Sequence, residues 1–516
     1  MKNEQYEQGY RLTLLNVALG LGTFIQVLDT SIANVAIPYI AGNLNVSTEE
    51  GTWVITSFSA SNAIILPLTG WLSDYFGRVR LFCWSIALFT ITSFFCGFSS
   101  SLSMLVFFRV LQGAVAGSLI PLSQTLLLAN HPPEKQGNAL GFWGMIVIVA
   151  PILGPILGGY LTDFYSWPWI FYMNVPIGLF SASVTWYLLK DKDSQVVRNP
   201  IDWIGIALLS LGVGCLQIML DKGKDLDWFK SNTILALAIA SIIALSYFII
   251  WTYYQPYPVV DLSFFRNINF AFGCLATTIG FLFYFGSTVT LPLWLQTEQG
   301  YTPFWAGLAV APVGIIPFLL STSVGKYMSR FDLRFISSLS FLFFALSFFY
   351  QAHFTTAISL QAIMLARFLQ GLGVAIFFLP LVQLSLGNIP KNRYASASGL
   401  YNFIRILVGS GFGTSLSIEL WTRLKTFHRA RLTETLTIFN SSTEKFYETL
   451  ENYHPSFTSD VSNQLLEKLI EQQGYMLSTN DLAWLAAWGF LAMIPLIFLC
   501  KKVKMSNSKS STTTAH

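Results

Sequence analysis

Charge is scarce in this sequence. Of 516 residues only 11% are Asp, Glu, Lys or Arg, against about a quarter in an ordinary soluble domain. A water-soluble body of this size could not solvate its surface with so few ions. Cysteine is sparse as well: Cys83, Cys96, Cys215, Cys274 and Cys500 all fall in apolar stretches, with no metal-ligand spacing between any two. That excludes a zinc framework and a disulfide scaffold, and free thiols are expected. The five histidines are scattered in segments between apolar runs and in the tail. There is no G-x-x-x-x-G-K-[ST], no H-E-x-x-H and no G-x-S-x-G. ATP hydrolysis, zinc-protease chemistry and a serine-hydrolase elbow therefore have no sequence support. No catalytic set, metal or cofactor is expected, and nothing points to nucleic acid.

Apolar residues are what the chain has in excess, at 53% of the sequence, with a mean hydropathy of +0.55. Runs long enough to cross about 30 Å of hydrocarbon recur at 13–40, 51–72, 81–99, 104–128, 139–161, 169–189, 203–220, 232–254, 269–296, 304–322, 335–351, 360–385, 395–420 and 482–500. The fold class this predicts is an all-α polytopic membrane protein of fourteen transmembrane helices. The first run is too long for a cleavable signal peptide and contains Asp29, so a retained signal-anchor is expected. An even number of spans puts both termini on one side. With the termini cytoplasmic, inside loops and tails carry 18 of the 30 Lys and Arg residues, and the short outside loops carry only Lys222, Lys224 and Lys230. Positive charge stays inside, so both termini are expected in the cytoplasm.

The chain also repeats itself. RVLQGAVAGSLIPLSQTLLLANHPPEKQGNALGFW from Arg109 aligns with RFLQGLGVAIFFLPLVQLSLGNIPKNRYASASGLY from Arg367, and Arg109, Gln112, Gly113, Asn130, Ala139 and Gly141 find identical partners 258 residues on. Parallel repeats of this kind build transporters with a site at their interface. The expected organisation is a tail at 1–12, a six-helix half at 13–189, two inserted helices with their loops at 190–254, a second six-helix half at 255–500 and a tail at 501–516. Residues 421–481 form a polar extracytoplasmic loop within the second half. VSNQLLEKLIEQQ from Val461 can form an amphipathic helix.

Within the first run, Asp29 would cost about 2.5–3.5 kcal/mol at the bilayer centre if it faced lipid. It does not stand alone. Ala18, Gly22, Gln26, Asp29, Ala33 and Ala36 fall on one helical stripe of small and polar residues. Burial disfavours a charged carboxylate and a nearby arginine restores it. Such a group can trade a proton as its surroundings change, or can hold a permanent ion pair. Arg109, Gln112, Gly113 and Ala116 share a face of the fourth run, and an arginine there needs a carboxylate or carbonyl partner. Asn402, Arg405 and Gly409 share a face of the thirteenth, with Glu419 near its outer end. Arg405 and Glu419 are candidates for charge relay or cation recognition, or are interfacial residues reaching water.

Between the second and third runs lies GWLSDYFGRVR, Gly70 to Arg80. It is similar to G-x-L-x-D-x-x-G-R, the signature loop of the major facilitator superfamily, and GKYMSRFDLR from Gly325 is a decayed second copy. LDTSIANVAIP (Leu28 to Pro38), RVLQG (from Arg109), GFWGMIVIVAPILGPILGG (from Gly141), WPWIFYMNVPIG (from Trp167), VDLSFFRNINF (from Val260) and LPLWLQTEQGYTPFWAGLAVAP (from Leu291) resemble the 14-helix drug:proton antiporter branch. Within that branch the resemblance is closest to the EmrB-type multidrug exporters. The antiporter motif has Gly141, Gly154, Pro155, Gly158 and Gly159 in place, with Ala150 where glycine is usual.

This resemblance implies two six-helix halves plus two inserted helices in an inner membrane. It implies export of lipophilic small molecules in exchange for protons, with the proton gradient as the energy source. Asp29 and Arg109 would couple protons, while Gly70, Asp74, Gly77 and Arg78 would gate from inside, Asp74 docking on the start of the thirteenth helix near Tyr394–Ser398. Gln26, Asn34, Asn62, Gln112, Trp143, Tyr284 and Asn402 are candidate substrate-binding residues. The 421–481 segment would meet a membrane-fusion adaptor that leads to an outer-membrane channel, or is a disordered insert. Export of a native metabolite such as a siderophore or fatty acid, or a membrane sensor that transports nothing, are the competing readings.

Overall fold

The computed structural model describes residues 9–193, 196, 200–328, 331–390, 393–436, 441–453 and 459–502. The expected tails at 1–12 and 501–516 and the centre of the 421–481 segment lie largely outside the described residues. Apolar runs in a solvent without hydrogen bonds must satisfy their own backbone, and the helix does this within one segment. Among the described residues every regular element is helical.

Fourteen rods follow one another: α1 Tyr10–Asn43, α2 53–76, α3 Arg78–Gly97, α4 Leu102–Ala129, α5 Pro133–Phe164, α6 169–189, α7 Trp203–Lys222, α8 Asn232–Tyr254, α9 Ile268–Thr297, α10 303–327, α11 Leu333–Gln351, α12 Leu360–Leu386, α13 394–435 and α14 Ser459–Ile497. Ten helices among the described residues are long and apolar enough to cross a membrane. The starts carry the polar caps that orphan N–H groups demand: Ser101 Oγ accepts from Met104 N, Asp202 from Gly205 N and Ser359 Oγ from Ala362 N. α2 tightens to a 3₁₀ turn at Leu66–Leu68, around Pro67, and α13 opens into a π-helix at Arg405–Phe412.

The largest departure from expectation is at 421–481. The thirteenth helix does not stop near 420 but runs to 435, and the fourteenth begins at 459 rather than 482. The two extensions pack side by side, tied by Lys425–Glu471, Arg429–Glu467 and Trp421 Nε1 to Thr479. A short helix, Ser441–Tyr453, lies between them. Beyond the bilayer a helix needs no apolar coat, and a polar sequence continues it by pairing charges.

α1 to α6 pack on one another, as do α9 to α14. The inserted pair, α7 and α8, packs together, and α7 also touches α2 and the π segment of α13. Ile239, Ile242, Ile243, Tyr247, Ile249 and Ile250 of α8 are exposed, as a lipid-facing surface requires. The halves meet at the end of the bundle that holds residues 9 and 502, the terminal face. There α5 runs against α10, and a methyl group on Gly137 or Gly325 would collide with the other's backbone carbonyl. Nearby, Gly70 of α2 leaves no room for a side chain beside Ser396 of α13.

Candidate functional site

Asp29 is 2% exposed in the middle of α1. Its Oδ2 accepts from Arg109 Nη1 at 2.5 Å, and its Oδ1 accepts from Asn174 Nδ2 at 2.9 Å and Gln112 Nε2 at 3.3 Å. The spacing of Arg109 and Gln112 puts both on one face of α4, and Arg109 Nη1 also donates to Gln112 Oε1 at 2.8 Å. The guanidinium's Nε donates to the Val54 carbonyl at 2.9 Å, and its plane lies 4.3 Å from the Phe58 ring centre, both from α2. Asn174 Nδ2 reaches Ser93 of α3 at 3.1 Å. Four helices besides α1 therefore hold one carboxylate, and the arginine partner anticipated for Asp29 is Arg109.

The second half carries the same scaffold without the acid. The residue 258 after Asp29 is Ser287, and Arg367 Nη2 donates to its hydroxyl and its carbonyl at 3.1 Å each. Arg367 Nη1 donates to Gln370, as Arg109 does to Gln112. Among the described residues no carboxylate contacts Arg367, which is 1% exposed.

A third set lies where the halves meet. Asn402 Nδ2 of α13 donates to Gln124 Oε1 of α4 at 3.2 Å, and Ser398 Oγ donates to the same oxygen at 3.0 Å. Arg405 gives Asn402 Oδ1 a 2.8 Å bond and lies between Phe281 and Phe378, 4.6 and 4.9 Å from their ring centres. Trp143 of α5 stacks on Phe378 at 6.3 Å and donates to Ser123 at 3.1 Å.

The remaining candidates are dispersed. Gln112 is taken up by the Asp29 network and is fully buried, so it does not line the gap between the halves. Gln26 is buried on α1, Asn62 and Tyr284 are half-buried, and Asn34 is exposed with its Nδ2 on the Thr30 carbonyl. Glu419 stands apart from Arg405, accepting from Trp228 Nε1 at 2.8 Å and pairing with Arg423 at 2.5 Å.

In the signature loop, Gly77 has φ +89°, which favours glycine. A side chain there would also meet the Asp193 carboxylate. Asp193, at the foot of α6, accepts from Val79 N at 2.9 Å and Arg80 N at 3.3 Å, capping the start of α3. Asp74 and Arg78 are half-buried next to it. The closest approach to the start of α13 comes one turn before Asp74, at Gly70. The antiporter motif divides: Gly154 packs against Ser31 of α1 inside the first half, and Gly141 and Gly158 are buried. Gly159 has open space around it, and the Pro155 side chain lies outside the described residues. The tight contact between halves that these glycines were expected to make is made instead by Gly137.

Sequence reasoning passed over Asn174, Ser93, Val54, Phe58, Gln124 and Asp193. Asn174 carried a signal, as a lone amide in the apolar WPWIFYMNVPIG. The others had none, since a backbone carbonyl or a ring in an apolar run looks the same whatever it faces.

Comparison with known proteins bears on this arrangement. The Major Facilitator Superfamily domain matches residues 19–414. The chain is 47% identical over 495 residues to "Multidrug export protein EmrB" of Haemophilus influenzae, covering 96% of each chain. It is 46% identical over 502 residues to the Escherichia coli K12 protein of that name, covering 97% of this chain and 98% of the other. "Fatty acid resistance protein FarB" of Neisseria gonorrhoeae is 44% identical over 495 residues, with 96% and 97% covered. The crystal structure of the human organic anion transporter MFSD10 (TETRAN) superposes with TM-score 0.57 at 12% identity, over 95% of this chain and all of that one, and so shares the fold. With paired six-helix halves, a repeated R-x-x-Q-G and relatives matched end to end, this chain belongs to the major facilitator superfamily.

Proposed function

We propose that this protein is a proton-coupled antiporter that exports hydrophobic or amphipathic drugs across the inner membrane. The observation that carries the reading is Asp29, a carboxylate buried among Arg109, Gln112 and Asn174 in the first half. All of its partners come from other helices, so relative motion of those helices changes what faces the carboxylate and whether it keeps a proton. One charge crossing 100 mV is worth about 2.3 kcal/mol, enough to drive an uphill drug gradient. The relatives named multidrug export proteins support the cargo class.

In this reading all fourteen rods span the membrane, with the terminal face and both termini in the cytoplasm. The units are 13–189 and 255–500, with 190–254 inserted between them. Contacts at Gly137–Gly325 and Gly70–Ser396 close the cytoplasmic side, and Asp74, Gly77 and Arg78 hold the loop beside them. Trp143, Asn402 and Arg405, where the halves meet, would touch cargo. The paired extensions of α13 and α14 would receive an adaptor leading to an outer-membrane channel. No cofactor is required.

Arg405 favours a second reading of the cargo. Among the described residues it has no carboxylate partner, and an amphipathic acid would supply one; a relative is named for fatty acid resistance. The test is dye efflux from liposomes under an imposed pH gradient, with lipophilic cations and medium-chain fatty acids as competitors. Equal gradient-driven efflux by wild type and Asp29→Asn would overturn the coupling assignment.

A further inference from the structure

Near its end α7 reads LQIMLDKG, and Asp221 sits where three elements meet. Gln217 Nε2, one turn back, donates to Asp221 Oδ1 at 3.0 Å. The other oxygen, Oδ2, is shut off from solvent and has no hydrogen-bond partner. A bare carboxylate oxygen in such a place is strongly disfavoured as an anion, whereas a proton on it removes the charge.

No cation relieves it. Lys222 turns away, its ammonium bonded to Thr52 Oγ1, 5.3 Å from the Trp53 ring centre and 3.6 Å from Asp225. From α2 the groups around Asp221 are Thr52, Trp53 and the hydroxyl of Thr56, and α2 carries no charge before Asp74. From α13, Ser415 Oγ donates to the Leu220 carbonyl at 3.0 Å, and Gly411 packs beside Gln217. Glu419 is engaged by Trp228 and Arg423, and Arg405 points to Phe281 and Phe378. The α8 segment 232–254 has no charged residue.

We propose that Asp221 is a second proton-binding site of this chain, occupied in the conformation seen here. When α2 and α13 separate from α7, water reaches Oδ2, the O–H bond breaks and the proton leaves as hydronium. On closure the carboxylate takes a proton back from hydronium and releases water. The inserted pair is thereby a working part, placing a titratable group against both halves at once. Its place in the cycle rests on the exporter reading above, but the protonation does not.

The experiment is infrared difference spectroscopy of the full-length protein in nanodiscs across pH. Wild type should show a protonated-carboxyl C=O band at neutral pH that Asp221→Asn lacks and Asp29→Asn retains. Gln217→Leu, which removes the donor to Oδ1, should shift the loss of that band to higher pH, and this variant keeps the test open if Asp221→Asn fails to fold. Identical spectra for wild type and Asp221→Asn, or an unmoved band in Gln217→Leu, overturn the proposal. In liposomes, efflux by Asp221→Asn should lose its dependence on outside pH, and Asp221→Glu should recover it; an unchanged profile sinks the role in transport. An Asp221-dependent band in a protein that shows no gradient-driven efflux would keep the site and remove the exporter reading.

Discussion

Asp29, Arg109 and Gln112 in the first half stand 258 residues before Ser287, Arg367 and Gln370 in the second. In both, an arginine on the fourth helix of its half reaches the first helix and shares an Nη1–H with the glutamine one turn on. They differ in one group, a carboxylate against a hydroxyl. The shared part explains why each arginine is retained: it ties two helices together through bonds to main chain and amide. The differing part marks where proton chemistry can occur, since a serine hydroxyl exchanges no proton in the working pH range. A repeat therefore preserves scaffold more strictly than chemistry, and the motif R-x-x-Q-G alone does not say which copy is active.

The sharpest way to break this contrast is Asp29→Asn or Asp29→Ser. Either leaves Arg109 buried and uncompensated, a loss of about 3–5 kcal/mol. Gradient-driven efflux should fall to the level of empty liposomes, and thermal unfolding in detergent should report the lost stability. Next come the arginines themselves. Arg109→Gln orphans a buried carboxylate and Arg367→Gln orphans only a hydroxyl and a carbonyl, so the first should cost about 2 kcal/mol more than the second; equal costs would mean that Asp29 contributes nothing electrostatic.

Ser287→Asp asks whether the second copy can be made like the first. Desolvation and attraction nearly offset in a buried pair, so unfolding should shift by no more than about 1–2 kcal/mol, while Asp29→Ser combined with Ser287→Asp should remain transport-dead. Recovery in the double variant would show that position does not matter. The smallest effect belongs to the surface. Arg80, 59% exposed beside Asp193, should change stability by less than about 0.5 kcal/mol when made alanine. Asp193→Ala should cost about 1 kcal/mol, because two backbone N–H groups at the start of α3 lose their acceptor.

Much of this was legible beforehand. Apolar runs located the rods, and the R-x-x-Q-G repeat paired the halves, because both features are written in local spacing. Asp29 and Arg109 could be matched because each was too costly to leave alone in hydrocarbon. Ser287 was invisible: it is an ordinary serine until the first half supplies the comparison. The 421–481 segment misled because membrane hydropathy ends near 420 while the helix does not. Its continuation depends on pairs such as Lys425 with Glu471, 46 residues apart, and no periodicity announces those. Asp193 likewise lies 114 residues from the amide it caps.

The contact of Gly137 with Gly325 has a kinetic consequence. Where side chains fill a joint, rotamers can adjust by degrees and the joint yields gradually. Here two backbones touch, and a backbone inside a hydrogen-bonded helix has no alternative pose. The helices are either seated or apart, as packed interfaces tend to be bistable. Fluorophores placed near residues 135 and 326 should then report two discrete separations with abrupt passages between them, so that turnover is paced by waiting in each state rather than by a slow glide.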